Sequence, residues 1–405
     1  MIKIKKAISL CLALVLSLSL CGFSDADAST VQNHEVAGSK ATSISYISNS
    51  DASLLAKQCI SQQIEIGNHC PWNNTTKIKE TVNLYDFDGQ ANAYLFRLET
   101  NGEPKGYIFV DANSENPRVP SFGYDGNFIL DEANLQNANS RISSKQHIIY
   151  GGGLTFLEKS KNSTIKNIIA NTAEKDTWET LKDSYTQALL KNKNEKAHAN
   201  INNLTKNIHP QSQIIYDEDV LDNLWTNSTI YVTSDFSQDN NCAATACTNF
   251  IYYWSHVRPN PKWLLWAPNN AQKVEALLYN FLGTNITTPG TLPNNIVPGL
   301  SKYSRYCGPT IAGSDERDLR SNPLNVDWSF FTGNIHHNIP ILITVALDPK
   351  YGQHVMLTVG YQNTSTGGYL RVADGWARTY SNFYQITDSG SSKVNYIIHC
   401  CYTRW

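Results

Sequence analysis

The sequence carries no excess of charge of either sign: 33 Lys and Arg stand against 35 Asp and Glu, a formal net charge of −2. That balance lacks the basic footprint expected for nucleic acid and the polybasic signal expected for anionic lipid. Cysteine is sparse, nine in 405 residues, which excludes a fold built on a disulfide framework. There is no Cys-x-x-Cys, and His399-Cys400-Cys401 has no second pair of ligands at metal-binding spacing, so no metal or other cofactor is expected. No internal repeat is visible. Beyond the first residues no run is long and apolar enough to cross a membrane. What remains is the composition of a globular chain of one to three domains.

The uncharged, mostly apolar run sits at the start. Lys3, Lys5 and Lys6 precede residues 7–20, and Ala26-Asp27-Ala28 supplies a small-x-small cleavage site. This is the build of a secretory signal peptide, residues 1–28, cut near Ala28. The expected product is secreted and keeps no membrane anchor after cleavage. A lipoprotein attached through Cys21 is the alternative, but Leu20 is large where lipid attachment sites carry small residues. Seven cysteines then remain: Cys59, Cys70, Cys242, Cys247, Cys307, Cys400 and Cys401. The odd number leaves a thiol unpaired or bonded between chains. Cys59 and Cys70 are close enough to pair locally, and most of the others read as small buried apolar side chains.

The following polar stretch leads to a helical pattern over 51–63. Residues 81–112 then alternate as three strands, punctuated by Asp88-Gly89 and Asn101-Gly102. Such dipeptides favour tight hairpins because both central residues of a type I′ turn need positive φ. The result is a β meander that needs a further layer to cover one face. Trp178, Leu181, Tyr185 and Leu189 predict a helix over 176–190. The Lys- and Asn-rich residues 191–211 form a polar, core-poor boundary. It divides the mature chain into 29–205 and 206–405.

In the second part, Ala243, Ala246, Phe250 and Trp254 share one face of a helix that follows Cys242 and stops before Pro259-Asn260-Pro261. A further helical stretch covers 263–282. From Pro340 the pattern changes to strands over 341–347, 355–361 and 369–373, with Gly367-Gly368 read as the turn between the last two. Helices first and an antiparallel sheet after make an α+β fold.

The chemistry-bearing segment is Gln238-Asp239-Asn240-Asn241-Cys242-Ala243-Ala244. A thiol in the first turn of a helix lies in the positive end of the macrodipole, which favours the attacking thiolate. Gln238 offers amide donors for an oxyanion, and Asp239, Asn240 and Asn241 read as helix caps. A nucleophile needs a base, and His354 opens a strand, a stiff mount for an imidazole. The next strand, antiparallel, ends at Ala373-Asp374, which brings Asp374 beside His354 as the group that orients it. His256, His336 and His337 are alternative bases: the first lies at the far end of the Cys helix, the others in a loop. Cys247 falls off the catalytic face.

Cys at a helix start, His opening a strand and Asp at the end of the next resemble the papain-like cysteine peptidase superfamily over residues 230–380. The details are most similar to its bacterial streptopain-like and bacteriocin-leader-peptidase-like branches. The resemblance implies a papain-like catalytic domain and peptide-bond hydrolysis through a thioester, with Cys242, His354, Asp374 and Gln238 as catalytic residues. It implies that Trp376 shields the hydrogen bond between His354 and Asp374, and that the meander of 29–205 is a propeptide-like domain. A secreted zymogen follows, inhibited by its own prosegment until that segment is cut away, and acting on protein or peptide substrates. Two departures stand: Gln238 is closer to Cys242 than in the papain pattern, and Asp374 replaces papain's Asn. Cell-wall amidase, transglutaminase-type acyl transfer and an inactive binding protein are the competing readings. The long separation of Cys242 and His354 disfavours transglutaminase, and the lack of a wall-binding repeat disfavours the amidase.

Overall fold

The computed structural model describes residues 45–67, 70–114, 117–124, 128, 147–151, 156–159, 165–168, 172–173, 178–183, 186, 216–219, 230–257, 270–287, 289–308, 311–319, 328–348, 352–364, 367–388 and 397–404. The expected signal segment, the expected boundary at 191–211 and Pro259-Asn260-Pro261 lie outside the described residues.

Helix α1 (Asn49–Ile66) starts where the Ser48 hydroxyl accepts Asp51 N–H and ends where left-handed Gly67 returns its N–H to Gln63 O. Strands β1 (Lys77–Tyr85), β2 (Ala91–Thr100) and β3 (Glu103–Asp111) follow as the expected antiparallel meander. Asn101 and Gly102, at φ 53° and 86°, make the tight turn their sequence calls for. Strand β4 (Arg118–Gly123) continues on β3, and β5 (Ile148–Tyr150) joins the other edge parallel to β1. Strands β6 (Phe156–Lys159), β7 (Ile165–Asn167) and β8 (Thr172–Ala173) extend that edge. Residues 178–183 are helical, inside the expected 176–190 helix.

The meander is covered on both faces, one more than expected. Tyr94, Phe96 and Leu98 pack toward α1, while Ala93 and Leu95 pack against Phe128, Ile148 and Phe156. Two-sided burial explains why the centre of β2, Ala93-Tyr94-Leu95-Phe96, is a continuous apolar run rather than alternating.

The second part contains β9 (Tyr216–Asp219), α2 (Cys242–Val257), α3 (Ala271–Phe281), α4 (Ile296–Cys307), β10 (Gly313–Asp318) and α5 (Trp328–His336). The strands β11 (Ile341–Asp348), β12 (Gly352–Thr364), β13 (Gly367–Ala373), β14 (Asn382–Asp388) and β15 (Ile397–Arg404) complete it. The α2 face of Ala243, Ala246, Phe250 and Trp254 is buried against this sheet. Gly367 and Gly368 do not form the turn. They lie in the β12–β13 ladder opposite Thr364 and Asn363. Gly367 has φ 140°, and a Cβ there would stand 2.1 Å from Thr387 O. Glycine is present because the β14 backbone passes that close.

The sheet runs across both sides of the expected boundary. Its order is β10-β15-β11-β12-β13-β14-β4-β3-β2-β1-β5-β6-β7-β8, with β9 on β12. The junction is the antiparallel pair β14–β4, with Asn382 opposite Gly123, Phe383 opposite Phe122 and Tyr384 opposite Ser121. The Phe122 and Phe383 rings stack there at 4.6 Å and 9°, and Tyr124 and Tyr369 pack around them. Phe122→Ala is expected to cost about 3–5 kcal/mol and to lower the midpoint of a single urea transition. Two separate transitions would contradict a shared sheet.

Candidate active site

Cys242 is the first residue of α2 and is half-buried. Thr245 N–H donates to Asn241 O at 2.8 Å, so the helical ladder opens at Asn241 and Cys242 stands in its first turn. The loop ahead of it is braced from α3 and the turn that follows. Tyr279 Oη and Asn285 Nδ2 both donate to Asp239 O, at 2.9 and 3.1 Å. Asn240 is left-handed, φ 57°, and donates to Asn285 Oδ1. The Asn241 amide donates to Thr233 O at 3.0 Å. These residues therefore tie the loop to its neighbours as well as leading into the helix. Gln238 is half-buried four residues before Cys242.

Burial separates Cys59, Cys247, Cys400 and Cys401 from this thiol, whereas Cys70 and Cys307 are half-buried like Cys242. Cys59, Cys247 and Cys401 are fully enclosed, and desolvation pushes their thiols up, which keeps them protonated. Cys59 and Cys70 share one core cluster, and no disulfide joins the seven cysteines among the described residues.

His354 is the third residue of β12 and pairs with Val345 of β11. Across β13, Leu357 is opposite Ala373, and carrying that antiparallel register past the strand end sets residues 374–376 beside His354. The Nε2 atom lies 2.5 Å from the Asp374 main-chain oxygen. A carbonyl only accepts, so Nε2 carries the proton and Nδ1 is the basic nitrogen. The Trp376 ring lies over the imidazole at 4.3 Å. Asp374 thus meets His354 as expected, but with its carbonyl. Its carboxylate builds the turn: Oδ1 accepts Trp376 and Ala377 N–H at 3.0 and 3.1 Å, and Oδ2 accepts Asn382 Nδ2 at 2.9 Å.

A short segment joins the two corners. Thr233 N–H donates to Gly375 O at 2.7 Å, and Thr233 O receives the Asn241 amide. Gly375 lies against the first turns of α2, where a Cβ would be 3.7 Å from Thr245 Cγ2. Arg378 grips the Asp235 carboxylate with both terminal nitrogens, at 2.6 and 2.9 Å, and also donates to Ile230 O. Sequence reasoning missed Thr233, Asp235 and Arg378, because no local pattern links side chains 143 residues apart. Of the alternative bases, His336 ends α5 and His337 follows it, rather than both standing in a loop. His337 Nδ1 lies 2.6 Å from Gly333 O. The side chain of His256 lies outside the described residues.

An α+β build with a large, mostly antiparallel sheet and these corners is consistent with a papain-like hydrolase of the cysteine-peptidase type. Residues 222–402 match the model of the Peptidase_C39 like family. That interval is somewhat less than half of the chain and contains Gln238, Cys242, His354 and Asp374. It supports a cysteine-peptidase-type family without distinguishing the streptopain-like or bacteriocin-leader-peptidase-like branches. No curated protein matches the chain.

Sequence reasoning also missed Glu275, one turn before Tyr279 on α3. It is wholly buried, and neither carboxylate oxygen has a hydrogen-bond partner among the described residues. Desolvation pushes its carboxyl up to about 7 from the usual 4.5. The folded chain therefore holds a proton that the unfolded chain releases, and stability falls as pH rises from about 4.5 through 7. Glu275→Gln should match wild type below about pH 5 and exceed it by up to about 3 kcal/mol above about pH 8. Urea unfolding at the two pH values reads this difference. Equal effects of the substitution at both would contradict it.

Proposed function

We propose that the protein is a secreted cysteine endopeptidase that cleaves peptide bonds through a thioester on Cys242. One observation carries the reading: the Cys242 helix start and the His354–Asp374–Trp376 corner meet, joined by Thr233 and Gly375. On this reading the first turn of α2 favours the thiolate. His354 Nδ1 takes the thiol proton and returns it to the leaving amine. The Nε2–H held by Asp374 O keeps the ring in that tautomer. The thiolate attacks the carbonyl carbon, and the resulting oxyanion is met by Cys242 N–H and the Gln238 amide. Water activated by His354 then releases the acid and regenerates the thiol. Trp376 limits solvent access to the ring. Residues 1–28 are the export signal in this account, and proteins or peptides are the substrates.

A zymogen is the second reading, favoured by one contact. Trp376, over His354, also packs onto the N-terminal cluster that includes Leu84, Tyr107 and Phe109. The N-terminal unit therefore stands beside the base, where a prosegment acting in cis would work. A cut between 191 and 211 raises activity on this reading, and unchanged or lower activity after the cut counts against it.

Cys242→Ala should abolish casein hydrolysis, by at least about 10⁴-fold, with the fold retained, because thiol to methyl removes little packing. His354→Ala should lose nearly as much. An epoxide inhibitor of papain-like enzymes should label one thiol in the wild type, that of Cys242, and none in Cys242→Ala. Hydrolysis by Cys242→Ala would end the nucleophile assignment.

A further inference from the structure

The turn that holds His354 is itself held from the N-terminal half. Tyr107 on β3 is paired with Gly123 on β4, and Gly123 is paired with Asn382 on β14. Directly paired positions project to the same face of a sheet, so these three form a row across the junction. The middle position has no side chain, and the outer two reach across it. The Tyr107 hydroxyl donates to Asn382 Oδ1 at 3.1 Å. A Cβ on Gly123 would stand 2.8 Å from both Asn382 Oδ1 and Tyr107 Cε1, so any larger residue would occupy the space the contact uses. Asn382 Nδ2 then donates to Asp374 Oδ2 at 2.9 Å. The orientation of the Asn382 amide follows from chemistry, since a carboxylate only accepts and must face the NH₂.

The chain continues from the Asp374 carboxylate to Trp376 and Ala377 N–H, and from the Asp374 carbonyl to His354 Nε2. Every side chain in it is enclosed: Tyr107 is 3% exposed, Asn382 1%, Asp374 3% and His354 4%. Hydrogen bonds in such surroundings polarise one another and set geometry more firmly than exposed ones. Phe128, edge-on to Tyr107 at 5.3 Å, fixes the aromatic end. Neither Tyr107 nor Asn382 touches a reacting atom in the mechanism above.

We infer that Tyr107 and Asn382 are positioning residues: they align the Asp374 turn, and through it the His354 ring, from the N-terminal sheet. The kinetic consequence rests on the peptidase reading; the structural one does not. It gives the N-terminal unit a supporting part in the site, supplied by β3 and β4, and so stands against the zymogen reading, in which release of that unit raises activity.

The test uses the full chain carrying Tyr107→Phe, which keeps the ring and removes the hydroxyl. Turnover of a fluorogenic peptide should fall on the order of five-fold, the size of one neutral hydrogen bond, with KM changed by less than about two-fold. In parallel, NMR of the His354 ring N–H should show exchange with solvent several-fold faster than in wild type. Gly123→Ala, which wedges the pair apart with the hydroxyl intact, should reproduce both effects; should it fail to fold, Tyr107→Phe alone decides. A purely structural hydroxyl would lower thermal stability and leave turnover and ring exchange alone. Wild-type turnover and wild-type ring exchange in Tyr107→Phe overturn the inference. A wild-type protein that hydrolyses nothing and takes no epoxide label defeats the peptidase reading instead. Ring exchange is still measurable in that case and decides the relay by itself.

Discussion

The pairing of β14 with β4 is the constraint on which the remaining structure depends. It joins the rings of Phe122, Tyr124, Tyr369 and Phe383 and a row of buried polar groups to a single backbone register. Asn382 must face Gly123 for Phe383 to stack on Phe122, and the same register sets Asn382 beside the Asp374 turn. A shift by one residue would turn Phe383 to the opposite face and take Asn382 from the carboxylate. Core packing and site geometry are thus consequences of one ladder.

The site is assembled by backbone more than by side chains. His354 is aimed by a main-chain oxygen, the Asp374 carboxylate is spent on the turn, and the Cys242 loop is fixed by carbonyls of Asp239 and Thr233. Strands and helix starts place such atoms with little freedom, which suits a constellation whose parts must stay within fractions of an ångström. The cost is borne by elements far from the chemistry, such as the Asp235–Arg378 ion pair that anchors the connecting segment.

Much of the second half was legible in the sequence because its signals are local. The apolar face of α2 and the three strands after Pro340 carry their own periodicity. The adjacency of His354 and Asp374 follows from a hairpin between neighbouring strands. The Asn101-Gly102 turn states its conformation outright. The junction was not legible, since Tyr107 and Asn382 are 275 residues apart and each looks ordinary in its own strand. Gly367 misled for a physical reason: a glycine demanded by close backbone approach looks the same in sequence as one demanded by a turn. Glu275 sits among helix-forming residues, and only its neighbours in space make it unusual.

The central claim is that the N-terminal unit and the half bearing Cys242 and His354 are one sheet. Native-state hydrogen exchange tests it most directly, because ladder amides exchange only when the ladder opens. Those amides of Ser121, Phe122, Asn382, Phe383 and Tyr384 that bond across the junction should be as protected as those of the β12–β13 pair, and should open with them. Exchange at the junction orders of magnitude faster than in β12–β13 would contradict the account.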